Sequence, residues 1–357
     1  MSLSIQQHIS LQPYNSLALP AYAEYFCSLD GEEDLLAALA YARAHQLQVT
    51  ALGGGSNLVL AGDIAGLVIH LNTKGYSYCN GAEADSVDVT FAAGENWHQA
   101  VLTTLEQGWY GMENLSLIPG NIGAAPIQNI GAYGVELEDI FVSLRAVEIA
   151  SGKLCSFTKA DCQFAYRDSL FKNAARDQYI ILDVTLRLST KPQVNTRYPA
   201  LQQAIADAQI SEPLTPEKVS ELVCQIRRQK LPDPTITPNA GSFFKNPLVE
   251  SAAAEQLLER YPQMPNFPQP DKQTKIPAAW LIDQCGFKGI TRGPVGVHKH
   301  QALVLVNNLR EGGANGEQLL ALAEELRDGV WKRFSIRLEI EPRVYGLVDQ
   351  SKDRSGI

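Results

Sequence analysis

The stretch Gly111-Met-Glu-Asn-Leu-Ser-Leu-Ile-Pro-Gly-Asn-Ile-Gly-Ala-Ala-Pro-Ile-Gln-Asn-Ile-Gly-Ala-Tyr-Gly134 is the most unusual part of the chain. It contains five glycines and two prolines, so it cannot form an ordinary helix or strand. It is also too apolar for a disordered linker. A long irregular segment of this kind is best explained as wrapping a flat, largely apolar ligand with its backbone. A purely structural Ω-loop is the alternative.

A second glycine-rich stretch, Gly53-Gly-Gly-Ser-Asn57, lies between predicted strands at 48–52 and 58–60. Glycines expose backbone N–H groups, and Ser56 and Asn57 can add side-chain donors, so the pattern is typical of a phosphate cradle. A tight turn is the alternative. The chain contains neither GxGxxG nor GxxxxGK[ST], which disfavours a Rossmann crevice and a P-loop.

Hydrophobic periodicity predicts the other elements. Helices are predicted at residues 30–46, 97–107, 200–208, 216–230, 251–261, 278–285 and 317–334. Strands are predicted at residues 48–52, 58–60, 67–71, 88–92, 140–149, 154–158, 180–188 and 302–307, with extended segments at 336–340 and 343–346. The polar, proline-containing residues 191–216 are predicted to connect two domains.

The composition is that of a globular protein with two or three domains, because 45% of its 357 residues are hydrophobic and 19% are charged. A formal net charge of −9 argues against a general nucleic-acid binder but not against small anionic ligands. The six cysteines include no CxxC pair, and His298-Lys-His300 has no acidic or cysteine partner nearby in the sequence. We therefore expect free thiols and no metal site.

The N-terminal residues lack the basic and apolar regions of a signal peptide. No apolar run approaches the roughly 20 residues that a membrane-spanning helix needs. We therefore expect a cytoplasmic protein that does not insert into a membrane.

The loop Ile236–Pro247 holds a candidate catalytic serine. Gly241 can adopt a positive φ or approach a ligand closely, and Ser242 follows it directly. Lys245 and Asn246 add a cation and an amide. The alternative is a loop that merely contains a serine.

A candidate anion-binding pair lies in Phe164-Ala-Tyr-Arg-Asp-Ser-Leu-Phe171. The guanidinium of Arg167 offers a fork of donors that matches a carboxylate, and Tyr166 precedes it. The alternative is a surface arginine beside a core tyrosine.

Five motifs in the same order resemble the family of UDP-N-acetylenolpyruvoylglucosamine reductases, flavoenzymes of bacterial peptidoglycan synthesis. The resemblance covers residues 14 to 346 or so, and the Tyr198 loop and the 164–171 insert resemble the longer, first type of the family. The motifs are Gly53–Asn57, the 111–134 stretch, Phe164–Ser169, Asn239–Pro247 and Leu338-Glu-Ile-Glu341.

The resemblance implies an α+β fold. A two-subdomain FAD-binding unit of the vanillyl-alcohol-oxidase type would occupy residues 1–72 and 73–215. A third, α/β domain at 216–330 would bind the substrate, and a C-terminal strand at about 335–347 would rejoin the first subdomain.

The resemblance also implies a bound FAD, with residues 53–58 on its pyrophosphate. No histidine is evidently placed for a covalent link, so we expect the FAD to be non-covalent. The implied cofactor-binding residues are Gly53, Gly54, Gly55, Ser56, Asn57, Leu58, Ser116, Pro119, Gly120, Ile122, Gly123, Ala124, Ala125, Gln128, Asn129, Gly131 and Tyr133.

The implied activity is the NADPH-dependent reduction of UDP-N-acetylglucosamine enolpyruvate to UDP-N-acetylmuramate by a monomer. Ser242 matches the family's proton donor, and Arg167, with Tyr166 beside it, matches the catalytic arginine. Glu341 matches the catalytic glutamate. The family more often reads Leu-Glu-Pro-Glu-Val where this chain has Leu-Glu-Ile-Glu-Pro, so Glu339 is the alternative. The residues that match substrate contacts are Tyr198, Lys230, Asn246, Lys288 and Gln301.

Reduction of the enolpyruvyl group builds negative charge beside its carboxylate, which Arg167 would stabilise. Glu341 would repel that carboxylate, so we expect it to be protonated when substrate is bound. A serine hydroxyl is a weak acid, so Ser242 needs a relay, for which Lys230 or a water is the candidate.

Two other functions are consistent with parts of this pattern. A flavin oxidase of the same fold would act on an alcohol or 2-hydroxy acid, but oxidation needs a base rather than a proton donor. A non-catalytic UDP-sugar sensor would not need Tyr166, Arg167, Ser242 and Glu341 together.

Overall fold

The computed structural model describes residues 3–210, 213–308 and 313–346. The α-helices are α1 (Glu32–Ala44), α2 (Trp97–Glu106), α3 (Lys159–Cys162), α4 (Pro199–Asp207), α5 (Pro216–Lys230), α6 (Ser251–Arg260), α7 (Ala278–Gln284) and α8 (Gly316–Phe334). The strands are β1 (Gln6–Ser10), β2 (Tyr22–Leu29), β3 (Val49–Leu52), β4 (Leu58–Leu60), β5 (Ile64–Leu71), β6 (Tyr76–Asn80), β7 (Ser86–Ala92), β8 (Gly131–Ala132), β9 (Val135–Glu136), β10 (Phe141–Glu148), β11 (Leu154–Thr158), β12 (Tyr179–Ser189), β13 (Leu248–Glu250), β14 (Phe267–Gln269), β15 (Gln273–Lys275), β16 (Thr291–Arg292), β17 (Val295–Val297), β18 (Leu305–Asn307) and β19 (Arg343–Tyr345). Short 3₁₀ helices occupy Gln12–Tyr14, Glu113–Leu115, Ile122–Gln128, Leu137–Asp139 and Leu170–Lys172.

These elements form two compact units. Among the described residues, the first unit is built from 3–9, 23–54 and 65–229. The second is built from 10–22, 55–64 and 230–346. The chain leaves the first unit after Gly54, inside the glycine run. The predicted three domains divide the chain at other residues, and their bounds stay a prediction.

Besides the two-stranded sheet β8-β9, the first unit contains a four-stranded and a five-stranded sheet. The four-stranded sheet has the order β1-β2-β5-β3, in which β3 and β5 run parallel. Leu35 and Leu39 on one face of α1 pack with Leu67 and Ile69 of β5 in its core. Acidic residues fill the first turn of α1 and Arg43 lies in its last turn, which suits the helix dipole at both ends.

The larger sheet is antiparallel and has the order β11-β10-β12-β7-β6. Strand β12 is central and pairs with β10 on one side and β7 on the other. Its alternate side chains Val184 and Leu186 join Phe91 of β7 and Trp97 of α2 in the main core of this unit. The side-chain oxygen of Asn96 accepts from the amide of Gln99 and caps α2.

The second unit contains the small sheets β13-β15-β14, β16-β17-β18 and β19-β4. Strands β4 and β19 run parallel, with Val59 opposite Val344. Asn315 and Gln318 form a capping box at the start of α8. The side chains of Phe243 and Phe244 are fully buried in this unit.

Most predicted elements are confirmed within one to three residues, including α5 and β11 at the predicted bounds. The irregular nature of 111–134 is also confirmed. Ten strands were not predicted: β1, β2, β6, β8, β9, β13, β14, β15, β16 and β17. All five residues of β6 are exposed, so this edge strand has no buried face.

Two predicted extended segments are shorter than expected. The strand predicted at 302–307 is confined to 305–307, because the amide of Val304 bonds back to the carbonyl of Gln301 in a turn. The segment 336–340 makes a single bridge, between Ile340 and Phe244, and is otherwise irregular.

None of the helices in the described ranges combines the length and apolarity that a bilayer span demands. Nor do any three histidine, cysteine or acidic side chains within those ranges come together as metal ligands would.

Candidate active site

The predicted flavin segment is a loop whose bonds run back to the body of the first unit. The amide of Trp97, the first residue of α2, donates to the carbonyl of Gly120 at 3.0 Å. The indole Nε1 of Trp97 donates to the carbonyl of Leu115 at 3.0 Å. The amide of Gly123 donates to Ala93 at 2.9 Å. These bonds hold the backbone of the loop in place, although the loop itself contains no α-helix and no long strand.

The glycine run approaches this loop. A Cβ on Gly54 would lie 2.8 Å from the side-chain oxygen of Asn121 and 3.2 Å from Cα of Gly120, so any side chain there would force both neighbours to shift. Within the described ranges, the amides of Gly53 and Gly54 donate to no residue. Unused backbone donors beside a close approach of two backbones suit the pyrophosphate of a dinucleotide such as FAD.

Several predicted cofactor residues have side chains buried within the first unit. The side chains of Ile122 and Ala125 belong to the main core of the unit. Ser116 is fully buried, and its hydroxyl shares a hydrogen bond of 2.7 Å with that of Ser220 on α5. Such residues can present only backbone to the cofactor. Pro119, Gly120 and Ala124 are at least partly exposed, so they remain the best candidates for direct contact.

The side chain of Asn129, another predicted cofactor residue, is held entirely by hydrogen bonds within the protein. The residue is fully buried and has a left-handed backbone, with φ of 43°. Its amide nitrogen lies 3.1 Å from Glu136 Oε2, 2.9 Å from Glu138 Oε1 and 3.3 Å from the Ala165 carbonyl. Its side-chain oxygen accepts from the amide of Glu138 at 3.0 Å. The whole side chain is therefore used within the protein.

Arg167 is anchored to the same loop. Its Nη2 donates to the carbonyl of Gly131 at 2.6 Å, and its guanidinium lies 5.4 Å from the ring centre of Tyr166. Burial raises the pKa of the Glu136 carboxyl, and the charge of Arg167 acts in the opposite direction. The structure thus brings the predicted anion-binding arginine to a predicted cofactor residue.

Tyr133 and Tyr198, predicted for cofactor and substrate, also meet. Their rings pack edge to face with centroids 5.3 Å apart. Asn114 links the two segments, since its amide nitrogen donates to the carbonyls of Tyr133 at 2.9 Å and Asn195 at 2.8 Å. Burial raises the pKa of the Tyr133 hydroxyl.

Two residues that sequence reasoning missed flank Leu117. His98 Nδ1 accepts from the amide of Leu117 at 2.9 Å, and Arg227 Nε donates to its carbonyl at 3.2 Å. Burial lowers the pKa of both His98 and Arg227. The only sequence signal that could have identified Arg227 is a charged residue on the apolar face of α5, four residues after the buried Val223.

A separate groove of about 590 Å³ on the first unit contains none of the predicted site residues. Its charged groups are largely paired with one another, as in the hydrogen bonds from Arg145 to Asp183 and the ion pair of Arg145 with Glu32. This groove is therefore not the candidate site.

In the second unit, the Ser242 loop has a fixed backbone. Gly241 has φ of 70°, the left-handed conformation that glycine adopts most readily, and Asn239 Oδ1 accepts from its amide at 2.8 Å. The amide of Phe243 donates to Leu303 at 2.7 Å. In contrast, the Ser242 hydroxyl bonds to none of the residues that the structure describes, Lys230 included.

The same loop pairs with the C-terminal acidic segment. The amide of Glu341 donates to the carbonyl of Phe243 at 3.0 Å, and that of Lys245 to the carbonyl of Glu339 at 2.9 Å. Lys245 also forms an ion pair with the Glu339 carboxylate. Glu341 thus lies opposite the residue next to Ser242, whereas Glu339 is used by Lys245.

The other predicted substrate residues of this unit make local contacts. Asn246 Oδ1 accepts from the amide of Ala278 at the start of α7, at 3.0 Å. Lys288 lies 3.4 Å from Asp283, and Gln301 Oε1 accepts from the amide of Leu303 at 3.4 Å. Lys230 is exposed at the end of α5. Their roles stay predictions.

Known proteins resemble this chain along nearly its whole length. A family model described as the UDP-N-acetylenolpyruvoylglucosamine reductase C-terminal domain matches residues 233–345, and an FAD binding domain model matches residues 23–158. Relatives named UDP-N-acetylenolpyruvoylglucosamine reductase from Pseudomonas aeruginosa and Chromobacterium violaceum are 48% and 45% identical to it. These alignments cover 97% and 96% of this chain and 100% of each relative.

A solved structure of UDP-N-acetylenolpyruvylglucosamine reductase from Thermus caldophilus matches with a TM-score of 0.63, covering 97% of this chain and 100% of that one. Its 21% identity makes this a likeness of fold alone. Together with the FAD binding domain, it confirms the predicted α+β fold with an FAD-binding unit. Relatives 48% identical over 97% of the chain lead to one conclusion: the chain belongs to the UDP-N-acetylenolpyruvoylglucosamine reductase family and is an FAD-dependent oxidoreductase.

Proposed function

We propose that this enzyme reduces UDP-N-acetylglucosamine enolpyruvate to UDP-N-acetylmuramate, a step of peptidoglycan synthesis, with NADPH as the reductant. The shared name of the relatives supports the substrate class. The observation that carries the chemistry is the pairing of the Ser242 loop with residues 339–341. It sets the Ser242 hydroxyl, which has no partner in the described part of the chain, one residue from the position opposite Glu341.

The reaction adds a hydride and a proton across the vinyl group of the substrate. FAD, when bound, supplies the carrier of hydride from NADPH to the terminal vinyl carbon. Negative charge then develops on the neighbouring carbon and its carboxylate. The protein must stabilise that charge and deliver the proton.

Arg167 is the group proposed to stabilise the charge. Its guanidinium is oriented before substrate arrives, because the Gly131 carbonyl accepts from Nη2 and the Tyr166 ring lies beside it. A preorganised cation costs no reorganisation during the reaction, which makes such stabilisation a large term in catalysis. The planar fork also matches a carboxylate better than an ammonium group would.

Ser242 is the proposed proton donor to the carbon beside the carboxylate. Its backbone is fixed while its hydroxyl has no partner among the described residues, so the hydroxyl can bond to a ligand without breaking an internal bond. Lys245 is already paired with Glu339. The relay that makes the hydroxyl acidic is therefore proposed to be Lys230 or a water.

Glu341 is proposed as the catalytic glutamate in preference to Glu339. Glu339 is largely exposed and neutralised by Lys245, whereas Glu341 is half-buried opposite Phe243. A carboxylate close to the substrate carboxylate would repel it, so Glu341 is protonated or shares a proton when substrate is bound.

The test separates the two half-reactions by following flavin absorbance in a stopped-flow instrument. Ser242→Ala should leave reduction by NADPH unchanged and slow reoxidation by the enolpyruvyl sugar at least about a hundredfold, the usual size of a lost general acid. Ser251→Ala is the matched control. Ser251 is the first residue of α6, and its hydroxyl bonds to that of Thr274. Equal slowing of both half-reactions would refute the proton-donor role.

Two further substitution pairs test the other groups in the same assay. Arg167→Lys should slow reoxidation sharply, while Arg176→Lys, on an exposed surface, should not. Glu341→Gln should impair reoxidation and Glu339→Gln should not. Reversal of the glutamate result would assign the role to Glu339. An enzyme reduced by an alcohol rather than by NADPH would instead be an oxidase.

A further inference from the structure

Two helices of the first unit hold the segment from Leu115 to Gly120. Trp97 on α2 donates to the carbonyls at both ends of the segment, with its indole to Leu115 and its amide to Gly120. Ser220 on α5 bonds to Ser116, and both serines are buried. The segment leads directly into the residues proposed to line the flavin.

The strained point of this segment is Leu117, whose φ of 59° is a left-handed conformation that a leucine rarely adopts. Side chains hold the peptide groups on both sides of it. His98 accepts from its N–H group and Arg227 donates to its C=O group. We name these three residues, His98, Leu117 and Arg227, the Leu117 clamp. A bulky residue in this conformation persists only when its surroundings impose it.

We propose that His98 is a positioning residue for the flavin. Together with Arg227 it holds Leu117 in its left-handed conformation, so that the backbone of residues 118–125 meets the cofactor in one fixed arrangement. This inference rests on the proposed assignment of the 111–134 loop to the flavin, and the experiment below tests that assignment separately.

The clamp requires a neutral histidine. Because Nδ1 accepts a hydrogen bond, the ring proton is on Nε2, which lies 3.9 Å from the sulfur of Cys224. The charged groups facing the ring are Arg227 and Arg228, both on α5. Burial first, and then these two cations, lower the pKa of His98. Protonation would place an N–H group against the Leu117 N–H group, so the clamp should weaken as pH falls.

Three variants test the proposal in the holoenzyme. His98→Ala removes the acceptor, and His98→Asn restores an acceptor oxygen close to the position of Nδ1. His70→Ala is the matched control: His70 is in the same unit, its pKa is also lowered by burial, and its Nδ1 bonds to Ser28 instead of the loop. The readouts are the release of FAD on dilution, the absorption spectrum of the bound flavin and hydrogen exchange of residues 115–120.

The expected result is a Kd for FAD about tenfold higher in His98→Ala, with an altered flavin spectrum and faster exchange at 115–120. His98→Asn should recover most of the affinity, and His70→Ala should match the parent. The affinity of the parent for FAD should fall as pH is lowered from 7 to 5, whereas that of His98→Asn should change less.

Ala124→Trp distinguishes the two ways of failing. Ala124 is exposed on the loop, so the bulky side chain should exclude FAD without disturbing the core. If Ala124→Trp loses FAD but His98→Ala keeps parental affinity, spectrum and exchange, the positioning role is overturned. If Ala124→Trp binds FAD normally, the assignment of the loop to the flavin is wrong, and the positioning role fails with it whatever the exchange shows.

Discussion

The two loops proposed to carry the chemistry, residues 111–134 in the first unit and 236–247 in the second, are held in opposite ways. In the first, the polar groups of buried side chains such as Ser116 and Asn129 form hydrogen bonds inside the protein. In the second, the Gly241 amide bonds to the Asn239 side chain and the Phe243 amide to the Leu303 carbonyl, while the Ser242 hydroxyl bonds to no described residue.

The difference shows which groups of each loop hold its structure and which are available for chemistry. In the 111–134 loop the side chains build the loop and the backbone is left to meet the cofactor. In the 236–247 loop the backbone on both sides of Ser242 is held in place, and the Ser242 side chain is left to react. Replacing the buried polar side chains of the first loop should therefore reduce stability, whereas replacing Ser242 in the second loop should reduce activity.

The largest effect on stability is expected for Asn129→Asp. The change removes the N–H donor that serves Glu136, Glu138 and the Ala165 carbonyl. It also places a new carboxylate beside the carboxylates of Glu136 and Glu138. We expect a loss of about 3 kcal/mol at pH 8 in the free energy of unfolding, with a smaller loss at pH 5 as carboxyls protonate. Urea unfolding at the two pH values measures it. Asn96→Asp, which keeps a good helix cap, should be near neutral.

Gly241→Ala should have the next largest effect, in the second loop. A Cβ there meets no atom within 4 Å, so only the positive φ opposes it. The expected cost is about 1 kcal/mol, and Gly241→Asn should cost less because asparagine tolerates this conformation. A loss in Gly241→Asn equal to that in Gly241→Ala would show that backbone strain is not the cause.

Glu113→Gln should change the dependence of stability on pH. Burial raises the pKa of the Glu113 carboxyl above 4.5, its ordinary value. A carboxyl whose pKa is raised in the folded state contributes its full stabilisation below pH 4.5. This contribution is lost as pH rises through the folded-state pKa. The amide keeps an acceptor for the Gly111 N–H group without the charge. Relative to the parent, the variant should therefore gain about 1 kcal/mol or less between pH 4 and pH 8. An unchanged slope would contradict this.

Ser242→Ala should have the smallest effect on unfolding, within about 0.5 kcal/mol of the parent, because no hydrogen bond to residues 3–210, 213–308 or 313–346 is lost. Thermal unfolding of the same protein used for the kinetic test measures it. A loss above 1 kcal/mol would show that the hydroxyl supports the loop and would remove the contrast between the two loops.

Local patterns were sufficient for most of the fold. The acidic first turn of α1 and the Thr215–Pro216 start of α5 depend on neighbours within a few residues, so sequence alone could place them. Edge strand β6 could not be found this way, because both its faces are exposed. The extended segment predicted at 336–340 forms a single bridge, because its pairing partner at Phe244 is distant in the sequence and only the end of the segment reaches it.

The candidate site was predictable as a set of motifs but not as a set of contacts. The partners of Asn129 lie up to 36 residues away and those of Leu117 up to 110, so no local pattern links them. The ion pair of Lys245 with Glu339, which separates the two candidate glutamates, spans 94 residues. Each of these contacts forms only in the tertiary fold, so the spacing of the residues along the sequence does not predict it.

The parallel pairing of β4 with β19 has a consequence for biosynthesis. Strand β4 leaves the ribosome early, yet its partner, with Val344 opposite Val59, follows only after all of residues 61–342 have been translated. Until then the nascent chain exposes an apolar strand with unpaired edges, the kind of surface that chaperones cover and that other chains can capture. Translation that stops short of residue 343 should therefore yield aggregation-prone product, and release of the full chain should be the event that closes the second unit.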